Sequence, residues 1–285
     1  MLPEALIPLW WLVQYSYAMV IQTIAVVESP QSGITDSLRT TIHHLRATAG
    51  PLFWLRGFLF FIIYDFTWSA LLPALLPITD SSSWKGHLRS FLFLAFLANL
   101  QVLWVHIIIT KPSAKYTHQR LPGLRCWIRI VPIIVLEAVT HWLVPLYATD
   151  LAIYLSNLSG FTDLHDPEGV HTLRGGYKLG ILGLIPCFVT CMAVLPARTT
   201  FIRMAASMLP DDDELIVPLD PRLRQNPPPG ILDAWNSLPD GTWARVWKIQ
   251  ARAYIMSAGI FFLGKMVYQD FHRVAMIPLI WFNDF

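Results

Sequence analysis

The sequence predicts an all-α, polytopic transmembrane helix bundle of about six spans, with residues 1–285 forming a single integral membrane domain. Six separated apolar stretches predict this fold class. A helix rises ~1.5 Å per residue, so about 20 apolar residues are needed to cross a hydrocarbon core of ~30 Å. The stretches cover residues 6–27, 52–76, 91–110, 128–147, 179–195 and 253–268.

Composition favours the same class. Hydrophobic residues make up 54% of the chain and charged residues only 14%, whereas about a quarter of a soluble domain is charged. The apolar stretches are continuous rather than alternating, which favours helices over the strands of a barrel. Tryptophan is abundant beside the stretches, as is typical of an interfacial aromatic belt. The flanking tryptophans are Trp10, Trp11, Trp54, Trp84, Trp127, Trp142 and Trp281.

Charge and cysteine content exclude other classes. The net charge of +2 is too small to indicate a nucleic-acid partner. Three cysteines at these positions give neither a disulfide framework nor a zinc spacing. The sequence therefore predicts no cofactor, and its expected partners are membrane lipid and an unknown small molecule.

The first stretch is predicted to be a retained span. Residues 1–5 carry no basic side chain, and the apolar run that follows is too long for the core of a secretory signal.

The basic residues predict the orientation of the spans. The loops after the first, third and fifth stretches carry the basic excess, which marks the cytosolic or matrix side. Both termini are then expected on the opposite side. The sequon Asn157-Leu158-Ser159 lies on that opposite face, so Asn157 is a glycosylation candidate if the membrane is the endoplasmic reticulum. The mitochondrial inner membrane is the alternative location.

The segment 201–248 is predicted to be a long polar and proline-rich loop. It begins as an amphipathic continuation of the fifth helix and breaks at Pro210. The acidic run 211–214 and the prolines after it favour an extended, mobile and solvated connector over 211–230. Residues 231–247 are expected to form an interfacial helix anchored by tryptophans.

Related strings indicate an internal repeat. Each odd-numbered stretch reaches a proline at its basic-side end, and two of the three continue into basic residues. These strings are Val27-Glu28-Ser29-Pro30, Ile109-Thr110-Lys111-Pro112 with Arg120 after it, and Leu195-Pro196-Ala197-Arg198 with Arg203 after it. A glycine-bounded string precedes the second and the fifth stretch. It reads Gly50-Pro51-Leu52-Phe53-Trp54-Leu55-Arg56-Gly57 and Gly169-Val170-His171-Thr172-Leu173-Arg174-Gly175.

These strings resemble the mitochondrial carrier family. The resemblance implies three repeats of two helices, with a kinking proline at the end of each odd helix and the odd loops in the matrix. In that family an acid stands two residues after each proline and closes the matrix end through salt bridges. This chain has Ser32, Ala114 and Arg198 at those positions, so that network is not expected in its usual form. The whole chain also resembles a family of multi-pass membrane proteins of filamentous fungi, and the segment 209–220 carries that resemblance.

Polar residues inside the apolar stretches are the candidate functional residues. An ionised group at mid-bilayer costs at least ~2.5–3.5 kcal/mol, so it usually faces protein or water. Glu137 and His141 are four residues apart and share a helical face. They are either a functional acid–base or solute-binding pair, or an interhelical pair that locates the fourth helix. A metal site would need a third ligand from His106 or Asp65, and no metal is predicted.

The other candidates lie in the second, third and last stretches. Asp65 is expected either to contact a solute or to pair with a neighbour such as Lys265. Asn99 and His106 are seven residues apart on one face, where packing hydrogen bonds are the default. We expect Glu137 and His141 to face the bundle interior, with Asp65 approaching them or Lys265.

Three functions fit these features. The first is carrier-like binding or transport of a small solute, which needs polar residues from several helices at one depth. The second is a membrane enzyme acting on a lipid or isoprenoid, as in fungal secondary metabolism, which needs an apolar pocket ending in a carboxylic acid. The third is a non-catalytic adaptor that uses the acidic and proline-rich loop.

Overall fold

A computed structural model describes residues 2–75, 84–112, 120, 122–158, 173–210, 213–224 and 229–271. Within these ranges the regular structure is helical, with two isolated β-bridges and no longer strand. The predicted all-α fold class is therefore confirmed.

Six helical passes follow one another through the described residues. The first and second are each built from two α-helices joined by a π-helical segment, and a short helix α3 lies between them. The elements in chain order are α1 (Leu2–Val13), π1 (Gln14–Ile21), α2 (Gln22–Val27), α3 (Leu38–Ala49), a 3-10 turn (Phe53–Leu55), α4 (Phe58–Phe66), π2 (Thr67–Leu71), α5 (Leu72–Leu75), α6 (Trp84–Ile109), α7 (Leu124–Leu158), α8 (Leu173–Ser207), a 3-10 turn (Pro221–Arg224), α9 (Ile231–Asn236) and α10 (Asp240–Phe271).

Four of these passes contain helices long and apolar enough to span a membrane, and they match the first, third, fourth and fifth predicted stretches. They cover Pro8–Val27, Leu88–Ile109, Leu124–Leu158 and Gly183–Ser207. The second stretch qualifies only as a bent pair with α3, at an angle of 82°, which would raise the number to five. The sixth stretch lies in α10, whose first turns carry basic residues and lower its mean hydropathy. The described residues thus support four to five spans where about six were predicted.

The passes pack as a ring. The first pass contacts α10 on one side, and its aromatic residues Trp11 and Tyr15 pack against Phe61 of α4 on the other. The ring continues through contacts of α4 with α6, α6 with α7, α7 with α8, and α8 with α10. Inside this ring, α2, α6 and α8 also contact one another, so the three odd-numbered passes converge where they end.

We call the end where α2, α6 and α8 converge the basic end. The loops that follow these three helices all meet there, because Glu28 bridges to Leu219 and Thr110 bridges to Leu215. The prediction that the odd-numbered loops share one side is therefore confirmed. The side of the membrane that this end faces stays a prediction from the basic residues.

Residues 213–224 cross the basic end, and we call them the capping segment. Ile216 N–H donates to the Ile109 carbonyl at 2.9 Å, and Asp220 N–H donates to the Val27 carbonyl at 3.2 Å. The segment thus satisfies carbonyls at the ends of α6 and α2 that have no partner within their own helices. A further bond joins His44 Nε2 of α3 to the Ile216 carbonyl at 2.9 Å.

The expectation of a solvated connector over 211–230 is wrong for the capping segment. Ile216, Val217 and Leu223 are buried in the main core cluster, and Asp213 and Asp220 are buried as well. Acid and proline content does prevent a long helix here. It does not keep the segment in water, because the apolar side chains between the acids pack into the core at the helix ends. Residues 211–212 and 225–228 lie outside the described part of the chain.

The interfacial helix expected over 231–247 is divided in the structure. Its first part is α9, and its second part already belongs to α10, which begins at Asp240. Trp235 and Trp243 contact each other across the break with ring centroids 5.6 Å apart. Leu232, Trp235 and Trp247 are exposed, as a membrane-surface anchor requires.

Ile216→Ala should destabilise the protein by about 2–5 kcal/mol, since it removes a buried side chain from the main core. Thermal unfolding of the purified protein in a single detergent would measure the change. Glu214→Gln, at a side chain that is 77% exposed in the same segment, should change stability by less than about 1 kcal/mol. Equal stability of Ile216→Ala and Glu214→Gln would show that the capping segment is not packed.

Candidate functional site

A cluster of polar side chains lies within the bundle, where four different helices contribute one residue each. They are Tyr64 of α4, Gln101 of α6, Glu137 of α7 and Arg198 of α8. Gln101 Nε2 donates to the Tyr64 hydroxyl at 2.8 Å, and Arg198 Nη1 donates to Glu137 Oε1 at 3.4 Å. The Tyr64 hydroxyl is close enough to the second pair for the charges of Glu137 and Arg198 to act on it. We call these four residues the polar cluster.

Arg198 is held between aromatic rings. Its guanidinium carbon lies 5.5 Å from the ring centroid of Trp104 and 5.1 Å from that of Phe201. Stacking on aromatic faces is available to guanidinium because it is planar and weakly hydrated. The two rings therefore fix the head group while leaving its edge free for hydrogen bonds.

Hydrogen-bonding capacity remains in the polar cluster. The bond to Glu137 is the one hydrogen bond that Arg198 makes among the described residues, although a guanidinium carries five N–H donors. The side chains of Arg198 and Glu137 keep 20% and 14% of their surface exposed. Gln101 Oε1 is buried without a hydrogen-bond partner in the described residues. Such an atom is costly in the free protein unless water or a ligand meets it.

The candidate residues predicted from the sequence differ in their burial and in their partners. Glu137 is partly buried and paired with Arg198. His141, one turn along α7, is exposed and makes no hydrogen bond with a described residue, although it is close enough for the charges of Glu137 and Arg198 to act on it. Asp65 is half-buried on α4 and does not join Glu137. The side chain of Lys265 in α10 lies outside the described residues, so its pairing with Asp65 stays a prediction.

Asn99 and His106, which share a face of α6, have different surroundings. His106 is buried, and its Nε2 bonds to the Ala205 carbonyl of α8 at 2.8 Å. This is a packing hydrogen bond between helices, the kind expected from the sequence. Asn99 Oδ1 is buried with no partner in the described part of the chain.

Asn157 is exposed near the far end of α7, about 50 Å along the helix from Leu124 by helical rise.

Among the described residues, no group of three or more His, Cys, Asp or Glu side chains is arranged to hold a metal ion. Neither His106 nor Asp65 completes a ligand set with Glu137 and His141.

Sequence reasoning missed a second polar layer, which lies at the basic end. Arg203 of α8 is 1% exposed and donates to Asp220 Oδ2 at 2.7 Å, to Ser237 Oγ at 2.9 Å and to the Val26 carbonyl at 3.0 Å. One side chain thus joins α8, the capping segment, the turn after α9 and the end of α2. A buried arginine needs this number of partners, because an unpaired buried charge is very costly.

Glu28 makes the second group of contacts in this layer. Its fully buried carboxylate accepts from the Ile34 N–H at 2.5 Å, the Thr35 N–H at 3.0 Å and Arg245 Nη1 at 2.9 Å. The Ser32 and Thr35 hydroxyls also donate to it. Arg245 of α10 is therefore tied to the loop that follows α2. The position of Glu28, two residues before Pro30, was the signal in the sequence that could have identified it.

A third pair completes the layer. Arg120 Nη2 lies 3.8 Å from Asp213 Oδ1, and Arg120 Nη1 donates to the Thr110 hydroxyl at 3.2 Å. Three arginines, from the third loop, α8 and α10, therefore meet three buried acids at the basic end. Two of those acids belong to the capping segment.

The two described residues at the positions where the carrier family has acids, Ser32 and Arg198, make other contacts in this chain. Ser32 donates its hydroxyl to Glu28, and Arg198 pairs with Glu137 in the polar cluster. Ala114 lies outside the described residues. The basic end is therefore held by ion pairs, but through acids at other positions than the resemblance implies.

Comparisons with known proteins give no further assignment. No protein-family model matches the chain, and no curated protein matches it. The resemblances to the carrier family and to the fungal family stay hypotheses. The protein is all-α in its described residues, and several of its helices are long and apolar enough to span a membrane.

Asp220→Asn should cost about 3–5 kcal/mol of unfolding free energy, because it leaves the buried Arg203 without its counter-charge. Asp36→Asn is the matched control, since Asp36 also pairs with an arginine but is 63% exposed. That control should lose less than about 1 kcal/mol. Denaturant unfolding of both variants measures the difference. A smaller loss for Asp220→Asn than for Asp36→Asn would contradict the assignment of a buried pair.

Glu137→Leu and Glu137→Gln separate charge pairing from packing in the polar cluster. Leucine removes every acceptor facing Arg198 and should cost about 1.5–3 kcal/mol. Glutamine keeps an acceptor and should lose roughly half of that. Thermal unfolding in one detergent gives both values. If Glu137→Leu were as stable as Glu137→Gln, the hydrogen bond between Arg198 and Glu137 would not contribute to stability.

Proposed function

We propose that the protein binds a small polar solute carrying an acidic group at the polar cluster, and moves it across the membrane in a carrier-like manner. One observation carries this proposal. Four helices each place one polar side chain at one site within the bundle. A packing role needs two helices to share a hydrogen bond, whereas a solute site needs donors and acceptors that converge from several sides.

The chemistry of the site supports an acidic group on the solute. Arg198 has unused N–H donors and is held between Trp104 and Phe201 with its edge free. A planar guanidinium binds a carboxylate or phosphate through two parallel hydrogen bonds. The existing contact with Glu137, at 3.4 Å, is long for a charge-assisted bond. An incoming anion therefore competes with a weak partner.

The rest of the site supports a polar solute. Gln101 Oε1 is an acceptor without a described partner, and it would receive a hydroxyl or amino group of the ligand. Glu137, once released from Arg198, would accept from the same kind of donor. The site thus suits a molecule with an acid at one end and hydrogen-bond donors a few bonds away.

The two competing functions draw on other features. A lipid or isoprenoid enzyme needs an acid that is free to give a proton, and Glu137 is engaged with Arg198. Asp65 is the feature that favours the enzyme hypothesis, since its carboxyl has no partner in the described residues. An adaptor would use the acidic loop as a docking surface, but Asp213 and Asp220 are buried.

The proposal is tested by ligand-induced stabilisation in lipid nanodiscs. Succinate, inorganic phosphate, glycine and glucose serve as probes of four chemical classes. At least one of the two anions should raise Tm in a saturable manner, since ligand that binds the folded state stabilises it. Arg198→Gln should weaken that response tenfold or more. Arg224→Gln is the matched control, because Arg224 is exposed and outside the polar cluster.

Transport is then separated from binding. Protein reconstituted in liposomes should exchange the probe that binds, and Arg198→Gln should abolish the exchange. A response to glucose alone, or an unchanged anion response in Arg198→Gln, would contradict the proposed site. Binding without exchange would restrict the function to solute binding.

A further inference from the structure

Asp65 is a carboxyl group within the apolar part of the second pass. It is the eighth residue of α4, so helical rise places it about 10 Å from the first residue of that helix. The helix around it is strongly apolar, and Leu59, Ile62 and Phe66 are exposed on the outer surface of the bundle. At 100° per residue, Asp65 lies at the edge of that outer face, near Ile62. The side chain is half-buried.

No described group compensates a charge on Asp65. The Ser69 hydroxyl, one turn along the helix, donates to the backbone carbonyl of Asp65 and not to its carboxyl. The Thr67 hydroxyl donates to the Ile63 carbonyl. Among the described residues Asp65 has no hydrogen bond, no ion pair and no charged neighbour acting on it. The hydroxyls of Thr67 and Ser69 are thus both engaged with backbone carbonyls, and the Tyr64 hydroxyl accepts from Gln101.

On the elements packed against α4, no described cation pairs with Asp65. On α6, Gln101 is bonded to Tyr64, and His106 is bonded to the Ala205 carbonyl. On π1, Tyr15 donates to the Arg56 carbonyl. Tyr64 is the titratable neighbour on α4 itself, and Glu137 and Arg198 lie beyond it in the polar cluster.

A carboxylate without counter-charge or hydrogen bonds is strongly disfavoured in an apolar medium, and the neutral acid is the form that such a medium accepts. We propose that Asp65 is a proton-binding site of this protein, open to the lipid-facing surface of the bundle, with the proton itself as ligand. Release of that proton would place a negative charge inside the membrane helix. This inference does not depend on the identity of any solute at the polar cluster.

The test uses the wild-type chain in lipid nanodiscs and the hydrophobic reagent dicyclohexylcarbodiimide. This reagent adds to a protonated carboxyl to form an O-acylisourea that rearranges to a stable N-acylurea, with no leaving group. Peptide mass spectrometry should find the adduct at Asp65, with a yield that falls severalfold as pH is raised. Asp150 is exposed on α7, three residues beyond the apolar stretch 128–147, so it is the matched internal control and should remain unmodified.

A second measurement does not depend on the reagent. Infrared difference spectra between low and high pH should contain the carbonyl band of a protonated carboxylic acid. That band should disappear in Asp65→Asn, persist in Asp65→Glu with a shifted position, and be unchanged in Asp150→Asn. An unmodified Asp65 in the wild-type protein, or equal modification of Asp65 and Asp150, would overturn the proposal. So would a carbonyl band that survives unchanged in Asp65→Asn. Failure of solute binding at Arg198 would leave this result untouched.

Discussion

The bundle depends on how the buried guanidinium of Arg203 is satisfied. This side chain lies at the point where α2, α8 and the capping segment meet, and it bonds to Asp220, Ser237 and the Val26 carbonyl. The desolvation cost of burying a guanidinium is offset only when hydrogen-bonding and charged partners surround it. Each partner comes from a different part of the chain. The convergence of the odd-numbered passes and the position of the capping segment are therefore linked through one group.

Closure of the basic end differs from what the carrier resemblance implies, although the physical requirement is the same. Helix ends that meet in a bundle expose carbonyl groups and need positive charge and N–H donors. In this chain the arginines come from helices and from the third loop, while Asp213 and Asp220 come from the capping segment. The segment also brings backbone N–H groups to the Ile109 and Val27 carbonyls. In this chain, acids from a loop therefore take part in closing the basic end.

Two arginines on α8 link this closed end with the proposed solute site. Arg198 and Arg203 are five residues apart, which is about 7.5 Å along the helix axis. Arg203 is fully buried and surrounded by partners, whereas Arg198 keeps unused donors and some exposure. Arg203 thus has a structural role at the basic end, whereas Arg198 has N–H donors that remain available for a ligand. A movement that releases a solute toward the basic end would have to pass the capping segment.

The sequence by itself determined the all-α class, the shared end of the odd-numbered loops and the residues inside the apolar stretches, because these follow from hydropathy, helical periodicity and the distribution of Lys and Arg. Glu137 was found in this way. Its partner was not, since Arg198 is 61 residues away and reads as an interfacial charge at the end of a helix. Acid and proline content likewise indicated correctly that residues 213–220 form no helix, yet it gave no sign that Asp213 and Asp220 would be buried. Only the tertiary structure decided these pairings. The energy of a buried charge depends on which other segments reach it at the same depth, and local sequence carries no information about that.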